Sequence, residues 1–174
     1  MSDDYRLRSP ADRLYWALGL WRFFVPATMV LLLIVAMTLP IVLPWPGLPQ
    51  LGLLGVFVWA TFQPGLMPPW LAFLLGLVAD LLGAMPFGVE ATLFAATALF
   101  VRLFEDRFGH HRFGFDWTML VLVALVHAVL GWWFLGFAGI DGPFTPLLIQ
   151  AATTAATYPI VVVLCARVQR RLLA

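Results

Sequence analysis

Long apolar runs, separated by short stretches of Pro, Gly and Arg, fill most of the chain after its first 22 residues. Transmembrane helices need about 20 predominantly apolar residues, and several of these runs reach that length. The pattern predicts an all-α protein, a polytopic membrane helical bundle with about six transmembrane helices. The predicted segments are 23–43, 51–62, 70–84, 89–104, 117–137 and 146–166.

The second and third segments are shorter than a perpendicular crossing of a bilayer requires. A Pro- and Gly-rich stretch at 63–69 separates them. Either the loops at their ends lie inside the headgroup layer, or the two segments form a hairpin that depends on surrounding protein.

The first 22 residues form a charged head. Ser9 as N-cap and Pro10 in the first turn predict a helix start, and apolar residues then recur at helical spacing from Leu14 to Trp21. This predicts an amphipathic helix that lies in the cytoplasmic interface and runs into the first span. The chain then divides into a head at 1–22, a six-span transmembrane domain at 23–166 and a short basic cytoplasmic tail at 167–174.

Composition excludes a soluble globular domain. Of the 174 residues, 63% are hydrophobic and 11% are charged, whereas soluble domains carry about 45–50% apolar and about 25% charged residues. The net charge of +1 gives no reason to expect a nucleic-acid partner. Cys165 is the single cysteine, so the chain has neither an internal disulfide nor a Cys-based metal site.

The basic residues are all arginines, and they fall into three clusters that lie on one side of the membrane if the N-terminus is inside. The intervening outward loops carry none. The positive-inside rule therefore predicts that both termini are cytoplasmic, and it rejects a five-span arrangement, which would put one cluster outside. The clusters are Arg6, Arg8, Arg13 and Arg22, then Arg102, Arg107 and Arg112, then Arg167, Arg170 and Arg171.

Three acidic residues are candidates for a polar site near the outer face. Asp80 lies inside the third segment, where a carboxylate costs about 2.5–3.5 kcal/mol at a helix centre and less near an interface. It has two interpretations, a polar anchor for a ligand or partner helix and a cap for the start of the next helix. Glu90 opens the fourth segment, where the helix dipole favours an acidic side chain. Together with Asp141, these carboxylates could line one outward pocket.

His127 lies at the midpoint of the fifth segment, where an interhelical hydrogen bond is the favoured interpretation over a proton carrier. The sixth segment carries two small-x-x-x-small pairs, which predict a helix-packing face, either internal or toward a partner. These pairs are Ala151 with Ala155 and Ala152 with Ala156.

Enzymatic motifs are missing from the sequence: it contains no nucleophile elbow, phosphate-binding loop or zinc motif. We therefore expect a protein that is not an enzyme, with no catalytic residues, no metal and no cofactor.

The run from Pro69 to Gly88 resembles the signature of the rod shape-determining MreD family, in which an L-x-G-L-x-x-D-x-L-x-x-x-P-x-G string joins two spans. The string covers roughly a tenth of the chain, and the hydropathy layout covers nearly all of it. Members of the family often carry a small residue or His where this chain has Glu90. On the matching string, the candidates for partner or ligand binding are Gly76, Asp80, Gly83, Pro86 and Gly88.

The resemblance implies a non-enzymatic component of the bacterial cell-elongation complex in the inner membrane. Such a protein would bind MreC directly and link MreC and MreB to the peptidoglycan synthases, RodA and a penicillin-binding transpeptidase. MreD proteins also resemble the six-helix substrate-binding subunits of energy-coupling-factor vitamin transporters. A transporter subunit is therefore the alternative function, although the first span at 27–33 lacks the A-x-x-x-A stretch that such subunits commonly use for docking.

Overall fold

The computed structural model describes residues 10–38, 47–83, 86–108, 113–137, 139 and 142–172. These residues form helices without any strand, at the positions that the apolar runs predict. The first helix begins at Pro10, so the predicted interfacial helix and the first span are one continuous helix; Ser9 lies outside the described residues. The helices are α1 (Pro10–Thr38), α2 (Leu51–Phe62), α3 (Pro69–Gly83), α4 (Val89–Phe108), α5 (Phe113–Phe137) and α6 (Thr145–Leu172).

Contacts between helices establish their directions. Ile34 of α1 lies against Gly52 of α2, and Val30 lies against Gly55, so α1 and α2 are antiparallel. Residue contacts likewise show that α3 is antiparallel to α4 and that α5 is antiparallel to α6. Contacts from α2 to α4 and α6 show that these three helices run parallel. The C-terminal parts of α4 and α6, which carry Arg102 and Arg167 respectively, therefore point to the same end of the bundle.

The short helix α2 lies at the centre of the bundle. All ten residues from Gly52 to Thr61 are buried, and the helix packs mainly against α1, α4 and α6. Phe57 meets Tyr158 of α6 edge to face, with ring centroids 6.2 Å apart. A helix that is apolar on every side must be covered by protein or lipid, and here protein covers it. For α2, this agrees with the interpretation that the short segment depends on surrounding protein.

The last two helices are long and apolar enough to cross a membrane, over Gly114–Phe137 and Thr145–Arg171. Only 28% of the residues in each apolar window are buried, so most of their side chains are at least partly exposed, unlike those of the core helix of a soluble protein. Large apolar side chains are also exposed on the shorter helices, for example Leu32 of α1, Leu81 of α3 and Leu103 of α4. The outer surface is therefore broadly apolar, which is unusual for a soluble monomer.

Candidate functional site

The carboxylate of Asp80 caps α4. Its Oδ1 accepts a hydrogen bond from the backbone N–H of Glu90 at 2.8 Å, and its Oδ2 accepts from Gly88 at 2.8 Å and Ala91 at 3.3 Å. The first N–H groups of a helix have no partner within that helix, so an acidic side chain from a neighbouring helix can supply one. Asp80 is 1% exposed. The capping interpretation of Asp80 is confirmed, and both oxygens face the start of α4.

The other residues of the matching string build the same hairpin. A Cβ atom added to Gly76 would lie 2.6 Å from the carbonyl oxygen of Glu90 and 2.7 Å from the backbone nitrogen of Ala91, so only glycine allows α3 and α4 to cross this closely. Gly88 has a φ of +99°, in the left-handed region that favours glycine. Gly83 ends α3, and the carbonyl of Pro86 accepts a hydrogen bond from the N–H of Val89 at 3.3 Å.

A polar cluster inside the bundle surrounds Glu90, and we define the Glu90 cluster as Gln50, Glu90, His127 and Thr154. Glu90 Oε1 accepts a hydrogen bond from Gln50 Nε2 at 2.9 Å, and the backbone N–H of Gln50 donates to Thr154 Oγ1 at 2.9 Å. His127 Nε2 lies 3.4 Å from Glu90 Oε1 and 3.3 Å from Oε2. The cluster thus joins the start of α2 to α4, α5 and α6, and His127 makes the interhelical contact that its position predicts.

Two nearly buried atoms of the Glu90 cluster have unused hydrogen-bonding capacity. Within the described residues, Glu90 Oε2 and His127 Nδ1 have no hydrogen-bond partner. Oε2 is close to the His127 ring, but the geometry suits a hydrogen bond to Oε1 only. Glu90 and His127 are 8% and 7% exposed. An unpaired polar atom in such surroundings costs about 1–3 kcal/mol, which favours any group that could pair with it.

Two cavities adjoin the cluster. A small one of about 70 Å³ lies where α1, α2, α3 and α4 meet and is lined in part by Gln50 and Glu90. A larger one of about 250 Å³ lies between α4 and α5 and has His127 in its wall. We call this larger cavity the α4–α5 groove, and its lining residues include Ala96, Thr97, Phe100, Leu122, Val126 and His127.

The Glu90 cluster lies inside the bundle, away from the end that the C-terminus of α5 and the N-terminus of α6 form. About ten residues of α5 follow His127 and about nine residues of α6 precede Thr154. At 1.5 Å per residue, α5 and α6 extend roughly 15 Å beyond the cluster. By contrast, Glu90 lies in the first turn of α4 and Gln50 immediately precedes α2.

The three predicted carboxylates do not act as one group in the described residues. Asp80 and Glu90 lie beside each other in the α3–α4 hairpin, but Asp80 bonds the backbone of α4 and Glu90 bonds Gln50. Asp141 lies outside the described residues.

The two small-residue pairs of α6 are divided between the inside and the outside of the bundle. Ala151 and Ala155 are buried, and Ala151 packs against Ala124 and Ala128 of α5. The second pair, Ala152 and Ala156, is exposed on the outer surface of α6. The internal packing face is therefore confirmed for Ala151 and Ala155, and packing toward a partner through Ala152 and Ala156 stays a prediction.

Two members of the Glu90 cluster, Gln50 and Thr154, are not predicted as site residues by the sequence. Gln50 falls in a predicted outward loop, although a lone amide before an apolar helix is a detectable signal. Thr154 belongs to a threonine-rich stretch in which no single hydroxyl stands out. Across the described ranges, no group of three or more His, Cys, Asp or Glu side chains is arranged to hold a metal ion.

Replacing Thr154 with valine tests the link between α2 and α6. The change removes the acceptor of the Gln50 N–H while keeping the side-chain shape, so we expect the free energy of unfolding to fall by about 1 kcal/mol. Thr157→Val is the matched control, because the Thr157 hydroxyl bonds the carbonyl of Thr153 in its own helix. Denaturant unfolding in mixed micelles measures the free energy of unfolding of both variants. Equal losses for the two variants would show that the interhelical bond contributes nothing.

Comparison of the chain with known protein families, with curated proteins and with solved structures found no match.

Proposed function

We propose that the chain is a six-span bacterial inner-membrane protein of the MreD type, with both termini in the cytoplasm and a non-enzymatic scaffolding role in cell elongation. The observation that carries this proposal is the α3–α4 hairpin. In that hairpin, Gly76 allows the helices to cross closely, Asp80 supplies the cap and Gly88 adopts the left-handed turn. All three residues belong to the matching string. A motif whose residues all act in one structural element supports the resemblance more strongly than the same residues scattered through the fold would.

The membrane part of the proposal has separate support. The helices α5 and α6 meet the length and hydropathy of a span, and most of their side chains are at least partly exposed. Arg167, Arg170 and Arg171 lie in the C-terminal part of α6, and Arg102 lies in the C-terminal half of α4, which runs parallel to α6. These arginines therefore lie toward one end of the bundle, which supports the one-sided arrangement that the positive-inside rule favours.

A scaffold needs a fixed shape and free outer faces. The Glu90 cluster ties α2, α4, α5 and α6 together in the interior, and α3 is held to α4 by Asp80. The outward faces of α4, α5 and α6 remain available to partner helices. We assign these faces to MreC as the direct partner, with MreB, RodA and a penicillin-binding transpeptidase in the same assembly.

Depletion of the protein in its rod-shaped host, with co-purification of MreC, tests the proposal. We expect depleted cells to become round and tagged protein to retain MreC. Asp80→Ala should impair cell shape or MreC recovery more than Ser2→Ala does, at equal protein levels, because it loosens the hairpin. Unchanged shape after full depletion would contradict the scaffold role.

The second candidate is a substrate-binding subunit of a vitamin-type transporter. It is favoured by one observation: a small cavity of about 70 Å³ lies between α1, α2, α3 and α4 and has the polar residues Gln50 and Glu90 in its wall. Co-purification with an ATPase module, or a bound vitamin detected by mass spectrometry, would support this function over the scaffold.

A further inference from the structure

The helix α3 is too short for a bilayer core of ordinary thickness, yet it has an exposed apolar face along its whole length. Its 15 residues extend about 22 Å, whereas a bilayer core is about 30 Å thick. Trp70 near its start is 60% exposed, and Leu81 near its end is 66% exposed. The exposed large side chains between them, Phe73 and Leu74, are also apolar. Unlike α2, α3 therefore has a face that the described part of the chain leaves uncovered.

Non-helical backbone is exposed beyond both ends of α3. Gly65 is exposed in the turn at 63–68 that precedes the helix, and Phe87 is exposed in the turn that follows it. Exposed irregular backbone does not occur in the hydrocarbon region of a bilayer, because its polar groups would find no partner there. In a bilayer, the hydrocarbon beside α3 is therefore no thicker than α3 is long. Tilting the helix would reduce that height further.

The helix α5 of the same bundle has an apolar face of ordinary height. Its exposed large side chains, from Phe115 to Phe137, are all apolar. This face extends about 33 Å, which matches a bilayer core of about 30 Å. The two helices pack chiefly against different neighbours, α3 against α4 and α5 against α6. The bundle therefore has a short apolar face on α3 and a full-length one on α5.

Contacts of Glu90 show where the height of α3 is missing. The backbone N–H of Glu90 bonds Asp80, and its carboxylate lies 3.3 Å from the His127 ring, so Asp80 and His127 lie at about the same level. Both α3 and α5 are antiparallel to the parallel set α2, α4 and α6, so they end toward the same end of the bundle, which we call the far end. Three residues of α3 follow Asp80, and ten residues of α5 follow His127. At the far end α5 thus extends about 10 Å beyond α3, and at the other end only about 5 Å.

We propose that the protein thins the bilayer along α3, with phospholipid headgroups over the α3–α4 turn about 10 Å below their level beside α5. The inference rests on the membrane part of the proposed function and identifies lipid as the occupant of the α3 face. Lipid fits this face because headgroups and water can bond both exposed turns, while acyl chains cover Phe73, Leu74 and Leu81. Trp70 lies beside a turn, where the amphipathic indole ring meets the headgroup layer. The outward faces of α4, α5 and α6 stay available to protein partners.

Two engineered cysteines at nearly the same level test the inference. Cys165→Ala first removes the single native thiol, and Leu81→Cys and Val129→Cys are then made separately. Both side chains are exposed, and Val129 lies slightly closer to the far end than Leu81 does. The protein is placed in nanodiscs of dioleoyl phosphatidylcholine and phosphatidylglycerol, in which both membrane surfaces are accessible. The rate of modification by a permanently charged methanethiosulfonate is then measured.

Leu81→Cys should react at least about tenfold faster than Val129→Cys, because the thiolate is the reactive form and apolar surroundings suppress it. Each rate is divided by the rate of the same variant in sodium dodecyl sulfate, which removes differences in intrinsic reactivity. Bimane attached to the same two cysteines gives a second measurement. A spin label on the lipid headgroup should quench bimane at position 81 more strongly, and a spin label near the end of the acyl chain should quench it more strongly at position 129.

Each failure has its own signature. Equal protection of both cysteines would show that hydrocarbon of full height covers α3, and this would overturn the inference. Rapid reaction at both would place neither in a bilayer and would overturn the membrane part of the proposed function as well. A disulfide between two copies of Leu81→Cys would show that a second copy, and not lipid, covers α3. Loss of MreC recovery, with Leu81→Cys still reacting faster, would overturn the scaffold role and leave the thinned side standing.

Discussion

Replacing Gly76 with alanine is expected to lower the free energy of unfolding by about 3 kcal/mol. The added methyl group would lie against the Cα atom of Ala91 and 2.6 Å from the carbonyl oxygen of Glu90. These neighbours are backbone atoms, so the clash is relieved only by moving α3 away from α4, and overpacking of this kind costs about 1–3 kcal/mol or more. Such a movement would also lengthen the bonds from Asp80 to the start of α4. Denaturant titration in micelles, followed by tryptophan fluorescence, measures the loss.

Gly131→Ala is the matched control. Gly131 lies within α5, and a Cβ atom there meets nothing within 4 Å. Alanine in a helix interior is favoured over glycine by about 0.5–1 kcal/mol, so this variant should be slightly more stable than the original protein. The two Gly→Ala changes therefore have opposite expected signs. A Gly76→Ala variant as stable as Gly131→Ala would show that the close crossing of α3 and α4 is not present.

Replacing Asp80 with alanine is the second large effect, with an expected loss of about 2–4 kcal/mol. The change leaves the part-buried N–H group of Gly88 and the buried N–H groups of Glu90 and Ala91 without their acceptor. Loss of a cap costs about 0.5–2 kcal/mol, and each unpaired buried donor adds to that cost. Hydrogen exchange should also accelerate at these three amides before it does elsewhere in α4.

Asp80→Asn separates the loss of charge from the loss of acceptors. Asparagine keeps one acceptor oxygen, so its stability should lie between those of the original protein and Asp80→Ala. Thr118→Ala, which removes a hydroxyl bonded within its own exposed turn, should change stability by less than about 0.5 kcal/mol. If all three variants behaved alike, the cap would contribute nothing measurable.

The helices and the α3–α4 hairpin could be predicted because their determinants are close together in sequence. Apolar runs between Pro and Gly predicted all six helices, and the predicted bounds of α2 match the observed ones. Gly76 and Asp80 are four residues apart, so they share one face of α3, and the helix that follows a short turn is the one that this face meets. The sequence therefore included a cap among the two interpretations of Asp80, but it offered Gly76 and Gly88 only as binding candidates, because the close approach of two backbones and a positive φ are not visible in a sequence.

The Glu90 cluster and the groove could not be predicted from the same kind of information. Gln50 and Thr154 are 104 positions apart, and nothing local to either residue indicates that α2 and α6 run side by side. Whether His127 faces Glu90 depends on the rotation of α5 about its own axis. The hydropathy of α5 is nearly uniform around the helix, so the sequence does not determine that rotation. The groove depends on how closely α4 and α5 approach, which is a property of the whole bundle.

The central position of α2 has a consequence for biosynthesis. At 12 residues, α2 is about 18 Å long, whereas a bilayer core is about 30 Å thick. The ribosome makes α2 before α4 and α6, the helices that later cover much of its surface. The helix α2 therefore lacks its full cover until the last helix is made and Tyr158 packs against Phe57. Packing of the central helix is thus completed only after translation of α6, and we expect chains that stop earlier to carry an uncovered α2 that proteases cleave.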